Sequence, residues 1–152
     1  MTGIERVATL VMLIPGSLWA GIILFYAVER VNLWMRMPID QFVIDFRRSL
    51  YRADPLQPIT AVVTIVGAVV FALSAKAPGS ILAWIGAALV ALVIVVSILF
   101  PERINSMFRR RQEGEAPPNV DALRTRWRTL HLIRTVPAMA ALVCLVLATT
   151  YV

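Results

Sequence analysis

The sequence predicts an all-α membrane protein: a polytopic four-helix transmembrane bundle with a short cytoplasmic amphipathic helix between spans one and two. Hydrophobic residues make up 59% of the 152 residues, whereas soluble domains hold about 45–50%. Four apolar stretches, at about 7–28, 58–75, 80–100 and 121–152, are each long enough to cross a bilayer, which takes about 20 helical residues. The fourth stretch includes a cytoplasmic helical extension, and all four belong to one transmembrane domain, residues 1–152.

The segment after span one is predicted to form the amphipathic helix. It begins near Pro38, because proline is favoured in the first turn of a helix, and Asp54-Pro55 ends it. An apolar stripe at helical spacing runs along one face and consists of Ile39, Phe42, Val43 and Phe46. Such a helix lies on the membrane surface or caps the bundle.

Small residues recur at four-residue intervals in spans two and three. They are Thr60, Thr64, Ala68 and Ala72, followed by Ala83, Ala87 and Ala91. Faces of this kind let helices approach closely, and the short turn at 76–79 makes the two spans an antiparallel hairpin. The faces fit the bundle interior and a homo-oligomer contact equally well, so both alternatives stay open.

The positive charge predicts the orientation in the membrane. Fifteen Lys and Arg residues face nine Asp and Glu residues, a net charge of +6. All the cationic residues except Arg6 and Lys76 lie in the loop after span one or between 103 and 134. The positive-inside rule then puts both polar loops in the cytoplasm and both termini outside, in a multi-pass protein of the plasma or inner membrane. The basic residues are interpreted as orientation signals and contacts with membrane lipids, and nucleic-acid binding is not predicted.

A polar stripe opens span four. Residues three and four apart share a helix face, and the stripe consists of Arg124, Trp127, His131 and Arg134. Polar groups inside a transmembrane segment are costly unless something pairs or uses them. Other polar groups are expected at the same depth, at the ends of spans one and three: Glu29, Asn32, Trp34, Arg103 and Asn105. Together they predict a pocket that is apolar below and polar above, the usual form of a small-molecule site.

Several function classes are excluded by what the sequence lacks. No carboxylate lies at the middle of any span, which argues against a proton-coupled exporter. A single histidine cannot build a di-iron bundle or a bis-histidine haem site, and no metal site is predicted. The single cysteine, Cys144, excludes dithiol chemistry. Two interpretations remain: an enzyme, or a non-catalytic accessory or lipid-binding bundle in which His131 is structural.

Two spaced motifs favour the enzyme and leave the second interpretation open as the alternative: Pro101-x-x-x-Asn105 and Trp127-x-x-x-His131-x-x-Arg134. They resemble the anthrone oxygenase-like integral membrane proteins, also called the DUF1772 family. The resemblance implies a small four-span protein. Some relatives oxidise aromatic polyketide anthrones to anthraquinones with molecular oxygen and no evident metal or organic cofactor.

The resemblance implies an oxidoreductase, a membrane-embedded oxidase or monooxygenase that acts on a lipophilic, anthrone-like small molecule. No cofactor is expected, and molecular oxygen is the co-substrate. His131 is the predicted general base, because histidine ordinarily titrates close to neutral pH, and Arg134 or Asn105 is expected to stabilise the oxyanion. The predicted substrate-binding residues, two of them aromatic rings that would stack on a planar substrate, are Trp127, Trp34, Asn32 and Glu29.

Overall fold

The computed structural model describes residues 1–151, and every regular element in that part of the chain is helical. The elements are α1 (Gly3–Phe25), a π-helical turn (Tyr26–Arg30), α2 (Val31–Arg36), α3 (Ile39–Arg52), α4 (Leu56–Ser74), α5 (Gly79–Leu99), α6 (Pro101–Arg109) and α7 (Val120–Thr149). Four continuous stretches are long and apolar enough to cross a membrane: Gly3–Arg36, Ile39–Ser74, Gly79–Leu99 and Val120–Thr149. The predicted all-α membrane fold with four spans is therefore confirmed.

The four spanning helices form a ring in which α1 contacts α4 and α7, and α5 contacts the same two helices. Small residues make the close contacts. At Gly67 of α4, an added Cβ would lie 2.5 Å from the backbone nitrogen of Met12 in α1. Thr64, Ala68 and Ala72 of α4 are buried, as are Ala83 and Ala87 of α5. The small-residue faces of spans two and three therefore pack inside the bundle.

Helices α3 and α6 lie over one end of the ring. Helix α3 buries Phe42, Val43, Phe46 and Leu50, whose spacing puts them on one face. They join Ile104 and Phe108 of α6 in an apolar cluster that also contains Trp34 and Trp127. This second core closes the end of the bundle and determines where the cleft described below can open.

Three of the four tryptophans are part of the packed interior. Trp19, Trp34 and Trp127 are 3%, 2% and 6% exposed, whereas Trp84 is 46% exposed. Only Trp84 has the exposure expected of a residue in an interfacial aromatic belt.

Arg124, at the start of the polar stripe on span four, has a structural role. Its guanidinium donates to the carbonyl oxygens of Trp34 at 3.1 Å and Met37 at 2.9 Å. It thereby ties the link between α2 and α3 to α7.

Candidate functional site

A cleft of about 450 Å³ opens beside α3 and α6, at the covered end of the bundle. Its inner wall includes Trp19 of α1 and Val93 of α5, both almost fully buried. Its outer rim includes Tyr51 and Ile98, which are 55% and 61% exposed. The volume falls within the range of small-molecule sites, so the cleft can hold an organic molecule of a few rings.

One wall of the cleft is a polar face of α6. The helix begins at Pro101, which suits a first turn, and Glu102, Asn105 and Arg109 follow at intervals that align them on one side. Arg109 donates to Glu102 through both terminal nitrogens, with Nη2 at 3.0 Å, and the same Nη2 lies 3.0 Å from Oδ2 of Asp54. The Asn105 amide nitrogen lies 3.3 Å from Glu102 and 3.5 Å from Asp54. The wall is thus a connected hydrogen-bond network.

The charges on α6 shift one another's pKa values. Burial alone would raise the pKa of Glu102, but its hydrogen bonds and ion pair with Arg109 outweigh burial, and the pKa lies below its ordinary value. The same contact with Glu102 raises the pKa of Arg109. Both groups are therefore ionised at neutral pH, and each helps to keep the other charged.

Asp54 differs from Glu102 in having an oxygen atom to spare. It lies between α3 and α4, and both Arg109 and Asn105 contact the same oxygen, Oδ2. Its Oδ1 has no hydrogen-bond partner among residues 1–151, and it is not among the fully buried unpaired atoms. Oδ1 is therefore an accessible, unused acceptor on a residue that lines the cleft.

Arg134 of α7 brings a second guanidinium to the lining of the cleft. The residue is 6% exposed. Its Nη1 donates to the Ser97 hydroxyl at 2.9 Å, and its Nε and Nη2 lie 3.3 Å and 2.9 Å from Nδ1 of His131. The predicted site residues Arg134 and Asn105 thus do line one cavity.

His131 lies behind Arg134 and does not line the cleft. It is 0% exposed, and its Nε2 is 2.9 Å from the carbonyl oxygen of Ile23. A carbonyl can only accept, so Nε2 carries the hydrogen and Nδ1 keeps the lone pair that Arg134 contacts. Ile23 lies in the last turn of α1, three residues before the π-helical turn, where the α-helical hydrogen-bond register changes.

This geometry does not favour the predicted role of His131 as a general base. Both ring nitrogens are engaged, and a proton on Nδ1 would set an imidazolium against the guanidinium of Arg134. Like charges in contact in a buried place are strongly unfavourable. A neutral His131 that orients Arg134 agrees with every contact that the ring makes.

Trp127 and Trp34 contact the site from behind, and neither lines the cleft. The Trp127 ring stacks on His131 at 4.9 Å with an interplanar angle of 16°, and its Nε1 donates to Oδ1 of Asn105 at 2.9 Å. Trp34 donates to Asp45 at 2.7 Å and packs edge-on against Trp127. The two rings were predicted to stack on the substrate, but they pack against protein groups and hold Asn105 and His131 in place.

Glu29 and Asn32 are not brought to the cleft. Both are exposed, and the Asn32 amide donates to the Val28 carbonyl at 2.8 Å, within its own helix. The structure places them outside the wall that they were predicted to complete, since both are exposed and neither lines the cleft.

Sequence reasoning missed Asp54, Ser97, Glu102 and Arg109. A usable signal existed for α6, since Glu102, Asn105 and Arg109 share a helix face. Asp54 was interpreted only as a helix end, and Ser97 lies in an otherwise apolar span. In the described part of the chain, residues 1–151, no three His, Cys, Asp or Glu side chains are grouped as metal ligands would be.

Comparison with known proteins gives one family match, which covers these residues. A family model described as "Anthrone oxygenase" matches residues 46–144, about two thirds of the chain. The matched segment contains every polar side chain of the cleft, from Asp54 to Arg134. No curated protein and no solved structure matches the chain.

Proposed function

The chain belongs to the anthrone oxygenase family, and from that membership and the cleft geometry we propose that it is a membrane-embedded oxygenase for a lipophilic, planar aromatic molecule. One observation carries the proposal. A largely apolar cleft presents a carboxylate with a free oxygen, on Asp54, and a guanidinium without an acidic partner, on Arg134. The carboxylate can accept a proton from an acidic methylene group, and the guanidinium can then bind the enolate oxygen that forms.

The proposed substrate is an anthrone-like ring system. Such a molecule carries a carbonyl group opposite a methylene group on its central ring. Loss of a methylene proton gives an electron-rich enolate, which passes electrons directly to molecular oxygen. One oxygen atom becomes the new carbonyl oxygen, and the other leaves as water with the two methylene hydrogens. Four electrons pass from carbon to oxygen, so the reaction balances with oxygen as the sole co-substrate and with no cofactor.

Asp54 is the proposed base. Both oxygens of Glu102 accept hydrogen bonds from Arg109, Asn105 or Ser106, and both nitrogens of His131 are engaged. Within residues 1–151, Oδ1 of Asp54 is the carboxylate oxygen on a cleft residue that has no hydrogen-bond partner, and it is proposed to take the proton. A positioned base of this kind contributes about 10²–10⁴-fold to a rate.

Arg134 and Asn105 are the proposed stabilisers of the enolate oxygen. Asn105 accepts from Trp127 through its carbonyl oxygen and donates through its amide group to Glu102 and Asp54. The longer of these two donated bonds, 3.5 Å to Asp54, is the one proposed to be exchanged for a bond to the enolate oxygen. Preorganised donors in a dry site are worth about 3–4 kcal/mol each when they face developing negative charge. His131 enters this scheme as a positioning residue that acts through Arg134.

The experiment measures quinone formation and oxygen consumption with anthrone and the purified protein in neutral detergent, against a detergent blank. We expect Asp54→Asn to lower kcat by about 10²–10⁴-fold, while Asp40→Asn, which removes an exposed carboxylate of α3, leaves kcat unchanged. His131→Gln should lower kcat less than Asp54→Asn, because His131 does not touch the substrate.

Two results would contradict the proposal. If Asp54→Asn retains turnover and His131→Gln abolishes it, His131 is the base after all. If the folded wild-type protein gives no turnover above the blank, the result supports the alternative interpretation, a non-catalytic accessory or lipid-binding protein.

The cleft end of the bundle is proposed to face the cytoplasm. The polar segments at that end hold every Lys and Arg except Arg6 and Lys76, and such segments stay on the cytoplasmic side during insertion. The exposed arginines among them are proposed to contact lipid phosphates.

A further inference from the structure

Arg134 is a buried cation without an acidic partner. No carboxylate oxygen in the part of the chain that the structure describes lies within 4.0 Å of its guanidinium. Its hydrogen bonds go to two neutral groups, the Ser97 hydroxyl and the His131 ring. A charge in a transmembrane segment is costly unless it is paired or used, so the position calls for a negative partner.

The guanidinium also has donors to spare. It carries five N–H groups. The His131 lone pair takes Nε–H and one hydrogen of Nη2, and Ser97 takes one hydrogen of Nη1. One N–H on each terminal nitrogen remains, on a residue that lines the cleft. Two adjacent N–H groups of this kind match an oxyanion.

Arg109 in the same cleft shows the contrast. Its terminal nitrogens are taken up by the carboxylates of Glu102 and Asp54. The four charged side chains that line the cleft are Asp54, Glu102, Arg109 and Arg134, so their charges sum to zero in the empty cavity. The carboxylate of Asp54 is paired with Arg109 and lies more than 4.0 Å from the guanidinium of Arg134.

We propose that the cleft binds its aromatic ligand as an organic oxyanion, a phenolate, enolate or carboxylate, whose oxygen lies on the two spare N–H groups of Arg134. The proposal deepens the proposed oxygenase function and rests on it for the choice of ring system. Transfer of the substrate proton to Asp54 neutralises that carboxylate and puts the negative charge on the substrate oxygen, beside the guanidinium of Arg134. The total charge of the cavity does not change. A ligand that is already an anion binds against the charge of Asp54, and its affinity is reduced accordingly.

A small aromatic anion fits this place better than the headgroup of an anionic lipid. Arg134 is buried, as are Trp19 and Val93, which line the same cleft. These three residues form its inner part. A phosphate at that depth would have to leave the membrane interface. The lipid alternative is made an arm of the experiment.

The test uses anthracene-9-carboxylate and anthracene-9-carboxamide, two fluorescent ligands with the same rings and no oxidisable methylene. Their Kd values are compared on the full-length protein in detergent with zwitterionic lipid. We expect the carboxylate to bind about 10-fold more tightly than the carboxamide, the factor of a charge-assisted hydrogen bond partly offset by Asp54. Arg134→Met should abolish this preference, and Asp54→Asn should raise it to about 100-fold. Arg103→Met removes an exposed charge on α6 and should leave the preference unchanged.

The outcomes separate clearly. Equal binding of the two probes to the wild type, or a preference that survives Arg134→Met, overturns the proposal. If Arg134→Met does not fold, Arg134→Lys decides, because one ammonium cannot supply the paired donors and the preference must fall. If stoichiometric phosphatidylglycerol displaces the carboxylate probe, the site binds lipid, and this result also overturns the proposal. If the protein prefers the carboxylate probe but does not turn over anthrone, the proposed oxygenase function is contradicted and the proposed anion site is supported.

Discussion

Substitution of Gly67 by alanine should separate the two most closely packed helices of the bundle. The new Cβ would lie 2.5 Å from the backbone nitrogen of Met12 and 2.7 Å from the carbonyl carbon of Val11. Ordinary contacts of this kind are about 3.5 Å, so α1 and α4 would have to move apart by roughly 1 Å. Because the obstructing atoms are backbone, no side-chain rotation relieves the clash, and we expect a loss of about 2–3 kcal/mol in the free energy of unfolding.

Two further glycines give matched controls. At Gly86 an added Cβ meets Leu145 at the same 2.5 Å, but the nearest atom is the end of a side chain, Cδ2. The Cγ atom of Leu145 is also close, at 2.7 Å. Both are side-chain atoms, which can shift further than backbone atoms, so Gly86→Ala should cost less than Gly67→Ala, about 1–2 kcal/mol. At Gly21 nothing lies within 4 Å, and Gly21→Ala should change the free energy of unfolding by less than about 0.5 kcal/mol.

Reversible unfolding in mixed micelles of SDS and a mild detergent, followed by tryptophan fluorescence, measures all three variants. The expected order of loss is Gly67, then Gly86, then Gly21. A Gly67→Ala protein as stable as Gly21→Ala would refute the packing argument, and so would a larger loss at Gly86 than at Gly67.

Two other predictions concern the charges. The pKa of Glu102 lies below its ordinary value of 4.5, so its pairing with Arg109 stabilises the fold at neutral pH and is lost as the pH falls through the lowered folded-state pKa. The thermal midpoint of the wild type should therefore drop more steeply below pH 4.5 than that of Glu102→Gln, and parallel curves would contradict this. For the orientation, Lys76→Cys and Gln112→Cys are placed separately in a Cys144→Ser background. A membrane-impermeant maleimide should label the first on intact cells and the second only after permeabilisation, and the reverse pattern would show that the proposed orientation is wrong.

The bundle could be predicted from the sequence because apolar length and charge asymmetry act locally. Each span can be recognised from about 20 consecutive apolar residues. The regular spacing of small residues in α4 and α5 likewise indicates close helix packing from the sequence alone. Which neighbour they contact, a helix of the same chain or of a second copy, depends on the ring order of the helices. No single segment contains that information.

The candidate site was predicted only in part, and the reason is again distance along the chain. Arg134 and Asn105 could be singled out because each is a polar residue at the end of a span. Asp54 meets Arg109 across 55 residues of sequence, and Ser97 meets Arg134 across 37. The role of His131 depended on which atoms face its two nitrogens. One of them is a backbone carbonyl 108 residues away, which no side-chain pattern can indicate.

The arrangement also explains why the polar groups lie at one end of the bundle and not at its middle. Ile23, Ser97 and Asp54 are each within a turn or two of a helix end, where the network of α6 can remain partly hydrated while the inner cleft stays apolar. The rim residues Tyr51, Pro58 and Ile98 are exposed and mostly apolar. A lipophilic molecule that arrives along the membrane therefore meets apolar surface first and the charged groups last. In the proposed reaction, the ligand therefore loses its water before it meets Arg134, and stabilisation of the negative charge gains strength in that dry inner part of the cleft.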